Sequence, residues 1–165
     1  MKKILVTGAA GFIGSYLTKK LVDNDYFVIG IDNMNDYYDV SLKENRIKEV
    51  QNDNFVFIKE DLVNEDKIRE IFEEYKPSIV VNLAGSAGVR YSSINSDEYI
   101  KNNILGFCNI LNISKDFDVE HFIFSSSSSI YGNNKNKPFK ESDISLNQES
   151  IYASTKMCNE VIACS

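Results

Sequence analysis

Short apolar runs alternate with amphipathic segments along the whole chain. The runs are rich in Val, Ile and Phe and have the length of buried β-strands. We predict strands at residues 4–6, 27–31, 55–58, 79–83 and 121–125. Between them, apolar side chains recur every three or four positions, as in Ile13, Leu17 and Leu21, which is the spacing of a buried helix face. This periodicity predicts helices at residues 12–23, 41–51, 68–75, 97–114 and from 150 onward.

The order of these elements is a strand followed by a helix, repeated along the chain. Strands that are apolar on both faces and alternate with helices are typical of a parallel sheet that helices cover on both sides. We therefore predict the α/β class with a doubly wound parallel sheet and, at 165 residues, one domain. Ligands of such sheets bind at the carboxyl ends of the strands.

Composition narrows the choice of partners. The formal net charge is −6 and no run of Lys and Arg is long enough to follow a phosphate backbone, so we expect no nucleic-acid partner. No apolar stretch approaches the roughly 18 residues of a membrane-spanning helix, so we expect no membrane partner. The three cysteines lack metal-ligand spacing, which favours reduced thiols in the cytoplasm and no metal site.

Three glycines follow the first predicted strand and precede the first predicted helix. A strand, a glycine-rich turn and a helix start form the phosphate-binding corner of a dinucleotide fold. Gly8 would allow the tight turn, Gly11 the close approach of a pyrophosphate, and Gly14 the packing of the helix on the strand. The amides that open the helix, at Phe12 and Ile13, would bind the phosphates.

A carboxylate ends the second predicted strand. Asp32 at this position would accept hydrogen bonds from the adenosine ribose and repel a 2′-phosphate, which favours NAD over NADP. A solvated turn aspartate is the alternative interpretation. Asp61 and Leu62 end the third strand, where we expect them to line the adenine pocket.

The last predicted helix contains a tyrosine and a lysine four positions apart. Tyr152 and Lys156 would therefore share a helix face, and the ammonium would favour the phenolate form of the tyrosine. The pattern is also typical of an exposed tyrosine beside a solvated lysine. The serine run at 125–129 follows the fifth strand, where its hydroxyls could bond a substrate oxygen or simply form a polar loop.

Taken together, the glycine turn, which Thr7 precedes, the serine run and the Tyr152/Lys156 pair resemble the extended short-chain dehydrogenase/reductases. These are NAD-dependent nucleotide-sugar epimerases and dehydratases, so the resemblance implies a Rossmann-type fold. In that family the catalytic hydroxyl lies four residues before the tyrosine of a Val-Tyr-Gly-like motif. Ile-Tyr-Gly at 130–132 fills the motif, so the resemblance implies Ser127 as that hydroxyl.

Two further segments narrow the resemblance. Ser128 and Ser129 occupy positions that are acidic in the dehydratases of the family, which argues against 4,6-dehydration. Residues 32–43 and 87–92 resemble segments of the UDP-glucuronate 4-epimerases. The implied reaction is the interconversion of UDP-glucuronate and UDP-galacturonate by transient oxidation at C4, with NAD as cofactor. Family members are usually homodimers.

Motifs and resemblance together predict three sets of functional residues. The catalytic set is Ser127, Tyr152 and Lys156. The NAD-binding set is Gly8, Gly11, Phe12, Ile13, Gly14, Asp32, Asn33, Asp61, Leu62, Leu83, Ala84, Gly85, Asn102, Ser125, Tyr152 and Lys156. The set that contacts the UDP-sugar is Ser86, Arg90, Ser127, Ser128, Ser129 and Tyr152.

Length is the main departure from the family, whose members are about twice as long. We expect residues 1–165 to be an NAD-binding Rossmann domain without the C-terminal substrate lobe, with an intact dinucleotide cleft and little epimerase activity. Residues 82–86 read Asn-Leu-Ala-Gly-Ser where the family has His-Leu-Ala-Ala-Gln, and we expect this stretch to touch the cofactor wall. Two alternatives stay open: another sugar-nucleotide epimerase or reductase, and a non-catalytic NAD-binding module.

Overall fold

All five predicted strands are present in the computed structural model, which describes residues 2–50, 52–143 and 145–165. The strands are β1 (Lys3–Thr7), β2 (Phe27–Asp32), β3 (Phe55–Lys59), β4 (Ile79–Asn82) and β5 (His121–Phe124). They form one parallel sheet in the order β3-β2-β1-β4-β5. The chain leaves β1 toward one edge of the sheet and later returns beside β1 to build the other edge. This is the doubly wound, Rossmann-like α/β fold that the periodicity predicts.

Helices connect the strands, with two additions to the predicted set. The helices are α1 (Phe12–Val22), α2 (Val40–Glu49), α3 (Glu65–Tyr75), α4 (Val89–Ser92), α5 (Ser96–Ile100), α6 (Gly106–Asp116) and α7 (Ile151–Ala163). A π-helical turn, Lys101–Leu105, joins α5 to α6, so the predicted helix at 97–114 exists but contains an irregular turn. Neither the short α4 nor a 3₁₀ turn at Ser128–Tyr131 is predicted by the sequence pattern.

The core lies on both faces of the central strands. Leu5 of β1 packs on the α3 and α6 side of the sheet, while its neighbour Val6 packs on the α1 side, and both are fully buried. The edge strand β5 is different, since His121 and Ile123 are exposed and the two phenylalanines between and after them are only partly buried. Within the described ranges, no helix has the length and apolar character needed to cross a membrane.

Because all strands are parallel, their carboxyl ends meet at one edge of the sheet. Strands are added on one side of β1 up to β3 and on its other side from β4, and the segments after β1 and β4 therefore separate and leave a crevice. The turn after Thr7, the side chain of Asp32 and the loops after Asn82 and Phe124 all lie at this edge. It is the place where the fold gathers the residues that the sequence singles out.

Candidate functional site

The glycine turn between β1 and α1 is packed tightly against itself and against β4. Gly8 has a φ of +69°, and a Cβ at this position would lie 2.9 Å from the Ala84 backbone nitrogen. A Cβ at Gly11 would lie 3.0 Å from the Gly8 carbonyl oxygen, and one at Gly14 would overlap the same oxygen. The turn's own geometry therefore requires glycine at Gly8 and Gly14, and a side chain at Gly11 would crowd the Gly8 carbonyl, before any ligand is considered.

This turn leaves a set of backbone amides free at the start of α1. The Gly11 amide donates to the Gly8 carbonyl at 2.9 Å, and the Ser15 amide donates to the Gly11 carbonyl at 3.0 Å. The amides of Phe12, Ile13 and Gly14 have no acceptor among the residues that the structure describes, and no side chain caps the helix. Free amides at a helix N-terminus beside a cradle without Cβ atoms fit a pyrophosphate.

Asp32 lies at the end of β2 as predicted, but it is not a solitary charge. Its carboxylate is buried and accepts hydrogen bonds from the Ala10 amide at 3.2 Å and the Met34 amide at 2.8 Å. The Lys43 ammonium, from α2, forms an ion pair with it at 3.3 Å and also donates to the Asn35 side-chain oxygen at 2.9 Å. No sequence motif pointed to Lys43, because the loop between residues 33 and 39 determines this contact.

A cleft that is partly open to solvent lies between the glycine turn and the ends of β2, β3 and β4. Its wall contains ten of the predicted NAD-binding residues: Gly8, Gly11, Asp32, Asn33, Asp61, Leu62, Leu83, Ala84, Gly85 and Asn102. Ser86, predicted to contact the UDP-sugar, also lines it. Tyr37, Tyr38, Lys43 and Glu98 line the cleft as well, and none of the four was predicted to do so.

Lys156 occupies the other end of the sheet edge. It lies in α7, whose first turn is capped by the Ser150 hydroxyl accepting from the Ala153 amide at 3.0 Å. Its buried ammonium donates to the Ser125 carbonyl at 3.3 Å, and a Cβ on Gly85 would lie 3.6 Å from it. The ammonium therefore lies between the ends of β4 and β5, and this burial lowers the pKa of Lys156.

Tyr152 precedes Lys156 by one helical turn and packs edge-on against Tyr99, with ring centroids 6.2 Å apart. Tyr99 is fully buried, and its hydroxyl lies 2.5 Å from the Ala87 carbonyl oxygen, to which it donates. Burial raises the pKa of Tyr99 to about 12, so its hydroxyl stays protonated at neutral pH. Of the two tyrosines, only Tyr152 is partly exposed at the sheet edge.

Ser127 begins the 3₁₀ turn that follows β5. Its hydroxyl oxygen accepts from the Ser129 amide at 3.2 Å, which fixes the position of the oxygen. The hydroxyl hydrogen has no acceptor within residues 2–50, 52–143 and 145–165, so it is available to a ligand oxygen. Arg90 lies on the exposed face of α4 and forms no ion pair with the described part of the chain, so its predicted contact with the UDP-sugar stays a prediction.

Asn103 is the main residue of this region that sequence reasoning missed. It lies in the π-helical turn and is almost fully buried. Its oxygen accepts from the Ser86 amide at 2.7 Å, and its nitrogen donates to the Ser86 carbonyl at 3.0 Å and to the Thr155 hydroxyl at 3.1 Å. Asn103 therefore joins the loop after β4 to the helix that carries Tyr152 and Lys156.

The stretch at 82–86 divides into two parts. Its last four residues line the cleft, as expected, but the Asn82 side chain points away from it. The Asn82 oxygen accepts from the Thr7 hydroxyl at 2.5 Å in the interior, and the same hydroxyl accepts from the Ala84 amide at 3.1 Å. The stretch therefore touches the cleft wall through residues 83–86, while the side-chain amide of Asn82 joins β4 to β1.

A protein-family model described as GDP-mannose 4,6 dehydratase matches residues 5–165. Among curated proteins, the chain is 52% identical over 161 residues to protein CapI of Staphylococcus aureus, a match that covers 98% of this chain and 48% of CapI. The chain spans about half the length of the curated relatives it matches.

Two solved structures resemble the fold closely. One is UDP-glucuronic acid 4-epimerase from Bacillus cereus in complex with UDP-glucuronic acid and NAD, with a TM-score of 0.87 and 36% identity over 97% of this chain and 50% of that one. The other is UDP-glucose 4-epimerase from Thermotoga maritima with UDP-glucose, with a TM-score of 0.85 and 35% identity over 97% of this chain and 49% of that one.

Proposed function

The chain belongs to the GDP-mannose 4,6 dehydratase family, and on this basis we propose that it is the NAD-binding part of a nucleotide-sugar 4-epimerase that interconverts UDP-glucuronate and UDP-galacturonate. One observation carries the proposal. The dinucleotide cradle and the buried Lys156 lie at the same sheet edge, with Tyr152 one helical turn from that lysine and Ser127 in the adjoining turn.

NAD fits the residues that are present. The free amides of the first turn of α1 suit its pyrophosphate, and the buried Asp32 carboxylate suits a ribose hydroxyl. When bound, NAD supplies the hydride acceptor for the C4 position of the sugar and the donor that returns the hydride. We place the protein in the cytoplasm, since its three cysteines are free thiols.

Residues of the chain itself remove the proton from the sugar 4-hydroxyl group and return it. Tyr152, as the phenolate, removes the proton of the 4-hydroxyl group, and it returns a proton to the same oxygen when the epimer forms. Lys156, one helical turn further along α7, holds its ammonium at the Ser125 carbonyl on the same sheet edge, where it would bond the ribose next to the nicotinamide. Ser127 donates its free hydroxyl hydrogen to the same sugar oxygen and holds it in place.

Epimerisation is favoured over dehydration even though the family model is named after a dehydratase. Removing water across C5 and C6 needs an acid and a base near those carbons. The residues after Ser127 are Ser128 and Ser129, which carry no carboxylate. The residues at 127–129 therefore suit the removal and return of hydride at C4, and they carry no carboxylate for the loss of water across C5 and C6.

The sugar carried by the UDP is the finer part of the proposal. Arg90 supports an acidic sugar, since its exposed guanidinium could pair with the carboxylate at C6. The second candidate is a neutral sugar, because the resemblance to the UDP-glucose 4-epimerase structure is nearly as high. A homodimer, as is usual in the family, is part of the same proposal.

The test uses the 165-residue chain with NAD⁺ and UDP-glucuronate. We expect NAD⁺ to bind in calorimetry, and we expect addition of the UDP-sugar to produce the absorbance of reduced nicotinamide, slowly, because about half of the relatives' length is not represented. Chromatography of the sugar nucleotides then identifies UDP-galacturonate. Parallel samples with UDP-glucose test the neutral sugar.

The variant Y152F removes the proposed base, and we expect it to keep NAD⁺ binding and lose nicotinamide reduction by at least about a hundredfold. The control is Y75F, which removes a hydroxyl on α3, where the ring stacks on Phe27 away from the sheet edge. Binding of NAD⁺ without reduction by either UDP-sugar would favour the non-catalytic module. Equal reduction by Y152F and the unmodified chain would refute the assigned role of Tyr152.

A further inference from the structure

Asp32 and Lys43 form a buried ion pair in the part of the cleft where we expect the adenosine of NAD, which we call the adenosine end. Both side chains are about 5 to 6% exposed, and both line the cleft. We propose that Lys43 is a second ribose-binding residue, which donates a hydrogen bond to the same adenosine hydroxyl whose hydrogen Asp32 accepts. This inference rests on the proposed binding of NAD and adds a residue that no motif of the sequence assigns.

The hydrogen bonds of the ammonium leave one donor for a ligand. A lysine ammonium has three N–H groups. One points to the Asp32 carboxylate at 3.3 Å and one to the Asn35 side-chain oxygen at 2.9 Å. No third oxygen acceptor is present within the described ranges, and the centroid of the Tyr38 ring lies 5.3 Å from the nitrogen. Since Lys43 lines the cleft, a ligand oxygen there would complete its set.

The Asp32 carboxylate has one hydrogen-bond acceptor position that no described residue uses. Two carboxylate oxygens offer about four acceptor positions. Three are used, by the amides of Ala10 and Met34 and by the Lys43 ammonium. The fourth can accept from one hydroxyl group of a ribose. The structure therefore offers one acceptor and one donor side by side at the wall of the cleft.

A ribose hydroxyl group satisfies both vacancies at once, because it donates one hydrogen and its oxygen accepts another. A buried polar group left without its partner costs free energy, so the pair favours a ligand that supplies this hydroxyl over one that lacks it. The charge argument at Asp32 also changes, since the carboxylate that faces the ribose is already paired with a cation. Recognition here depends on a fitted hydroxyl as well as on repulsion of a 2′-phosphate.

The test measures discrimination between nucleotides, which a merely structural lysine would not affect. ADP, 2′-deoxy-ADP and 3′-deoxy-ADP are titrated by calorimetry into the unmodified chain and into K43M. We expect ADP to bind about three- to tenfold tighter than at least one deoxy analogue, and we expect K43M to lose most of that ratio. The control K48M removes an exposed lysine of the same helix and should keep the ratio.

A second pair of variants covers the case in which K43M leaves Asp32 buried without a partner and fails to fold. D32N and D32N/K43Q replace the carboxylate by its neutral isostere, so neither variant buries an unpaired carboxylate. In D32N the Lys43 ammonium keeps the Asn35 side-chain oxygen as an acceptor, and the double variant carries neither charge of the pair. A smaller preference for ADP in D32N/K43Q than in D32N supports the role of Lys43. Equal weakening of all three nucleotides by removal of Lys43 overturns it. Failure of the unmodified chain to bind NAD⁺ at all would refute the proposed function instead.

Discussion

The two ends of the sheet edge are built in different ways. The proposed adenosine end, around Gly8, Gly14 and Asp32, rests on β1 and β2, interior strands whose residues are almost all buried, and its turn packs backbone against backbone at Gly8 and Gly14. The proposed catalytic end, around Ser127, Tyr152 and Lys156, rests on β5, which pairs on one side only within the described sheet and alternates between exposed and partly buried residues. There, side chains hold the parts together, above all Asn103 and Lys156.

The two ends are expected to tolerate different kinds of substitution. Backbone atoms in contact cannot move apart without shifting a strand or a helix, so the adenosine end is rigid. Side chains can change rotamer, so the catalytic end can adapt to a small steric change, but it depends on hydrogen bonds that single substitutions remove. Substitutions in the glycine turn should therefore act through sterics, and those at the second end through lost polar contacts.

The largest effect is expected from G14A. A Cβ at this position would overlap the Gly8 carbonyl oxygen and lie 2.8 Å from the Gly8 carbonyl carbon, so α1 must move away from the turn. We expect the free energy of unfolding, measured by urea denaturation, to fall by about 3 kcal/mol or more. Because the same displacement disturbs the free amides at the start of α1, NAD⁺ binding should be lost in calorimetry.

The matched glycine at the catalytic end is Gly85. A Cβ there would lie 3.0 Å from the Asn103 side-chain oxygen and 3.6 Å from the Lys156 nitrogen, which are both side-chain atoms. We expect G85A to reduce the free energy of unfolding by only about 1 kcal/mol. If G85A proved as destabilising as G14A, the contrast between a rigid and an adaptable end would be wrong.

An intermediate effect is expected from N103A. The change removes three hydrogen bonds and leaves the Ser86 amide without its acceptor, so we expect the free energy of unfolding to fall by about 2 kcal/mol. Because Asn103 joins the loop after β4 to α7, the reduction of nicotinamide by a UDP-sugar should fall more than NAD⁺ binding does. Urea denaturation and the nicotinamide assay measure the two quantities.

Asn109 of the same helical run is the control for N103A. It is also buried, but it makes one side-chain hydrogen bond, to the Leu62 carbonyl at 3.0 Å, at the adenosine end. We expect N109A to reduce the free energy of unfolding by about 1 kcal/mol and to leave nicotinamide reduction close to that of the unmodified chain. Equal losses of reduction in both variants would mean that Asn103 has no special link to the catalytic end.

Local patterns were enough to predict the fold and the glycine turn. The strand at 4–6 is found as Lys3–Thr7, because its apolar residues alone decide that it lies in the sheet interior. The three glycines and Asp32 were predictable for a similar reason, since the turn and the strand end are formed by neighbouring residues. The family resemblance read from these motifs is confirmed by the match over residues 5–165.

The residues that sequence reasoning missed depend on contacts between distant segments. Lys43 reaches Asp32 only because the loop at 33–39 folds back, and no periodicity encodes that path. Asn103 contacts Ser86 and α7 from a π-helical turn, for which the surrounding sequence carries no distinct signal. These side chains satisfy buried polar groups, and the partners of such groups become known only when the tertiary structure is known.

The smallest effect, and one of opposite sign, is expected from K156M. Burial lowers the pKa of Lys156 below its ordinary value of 10.5, so the unfolded chain binds this proton more tightly than the folded chain does. The ammonium therefore destabilises the fold at neutral pH, and this penalty fades as the pH rises toward 10.5.

We expect K156M to have a slightly higher Tm than the unmodified chain near neutral pH, with the difference shrinking on alkaline titration, while K48M shows neither change. A lower Tm for K156M at every pH would mean that the hydrogen bond to the Ser125 carbonyl outweighs the cost of burying the charge.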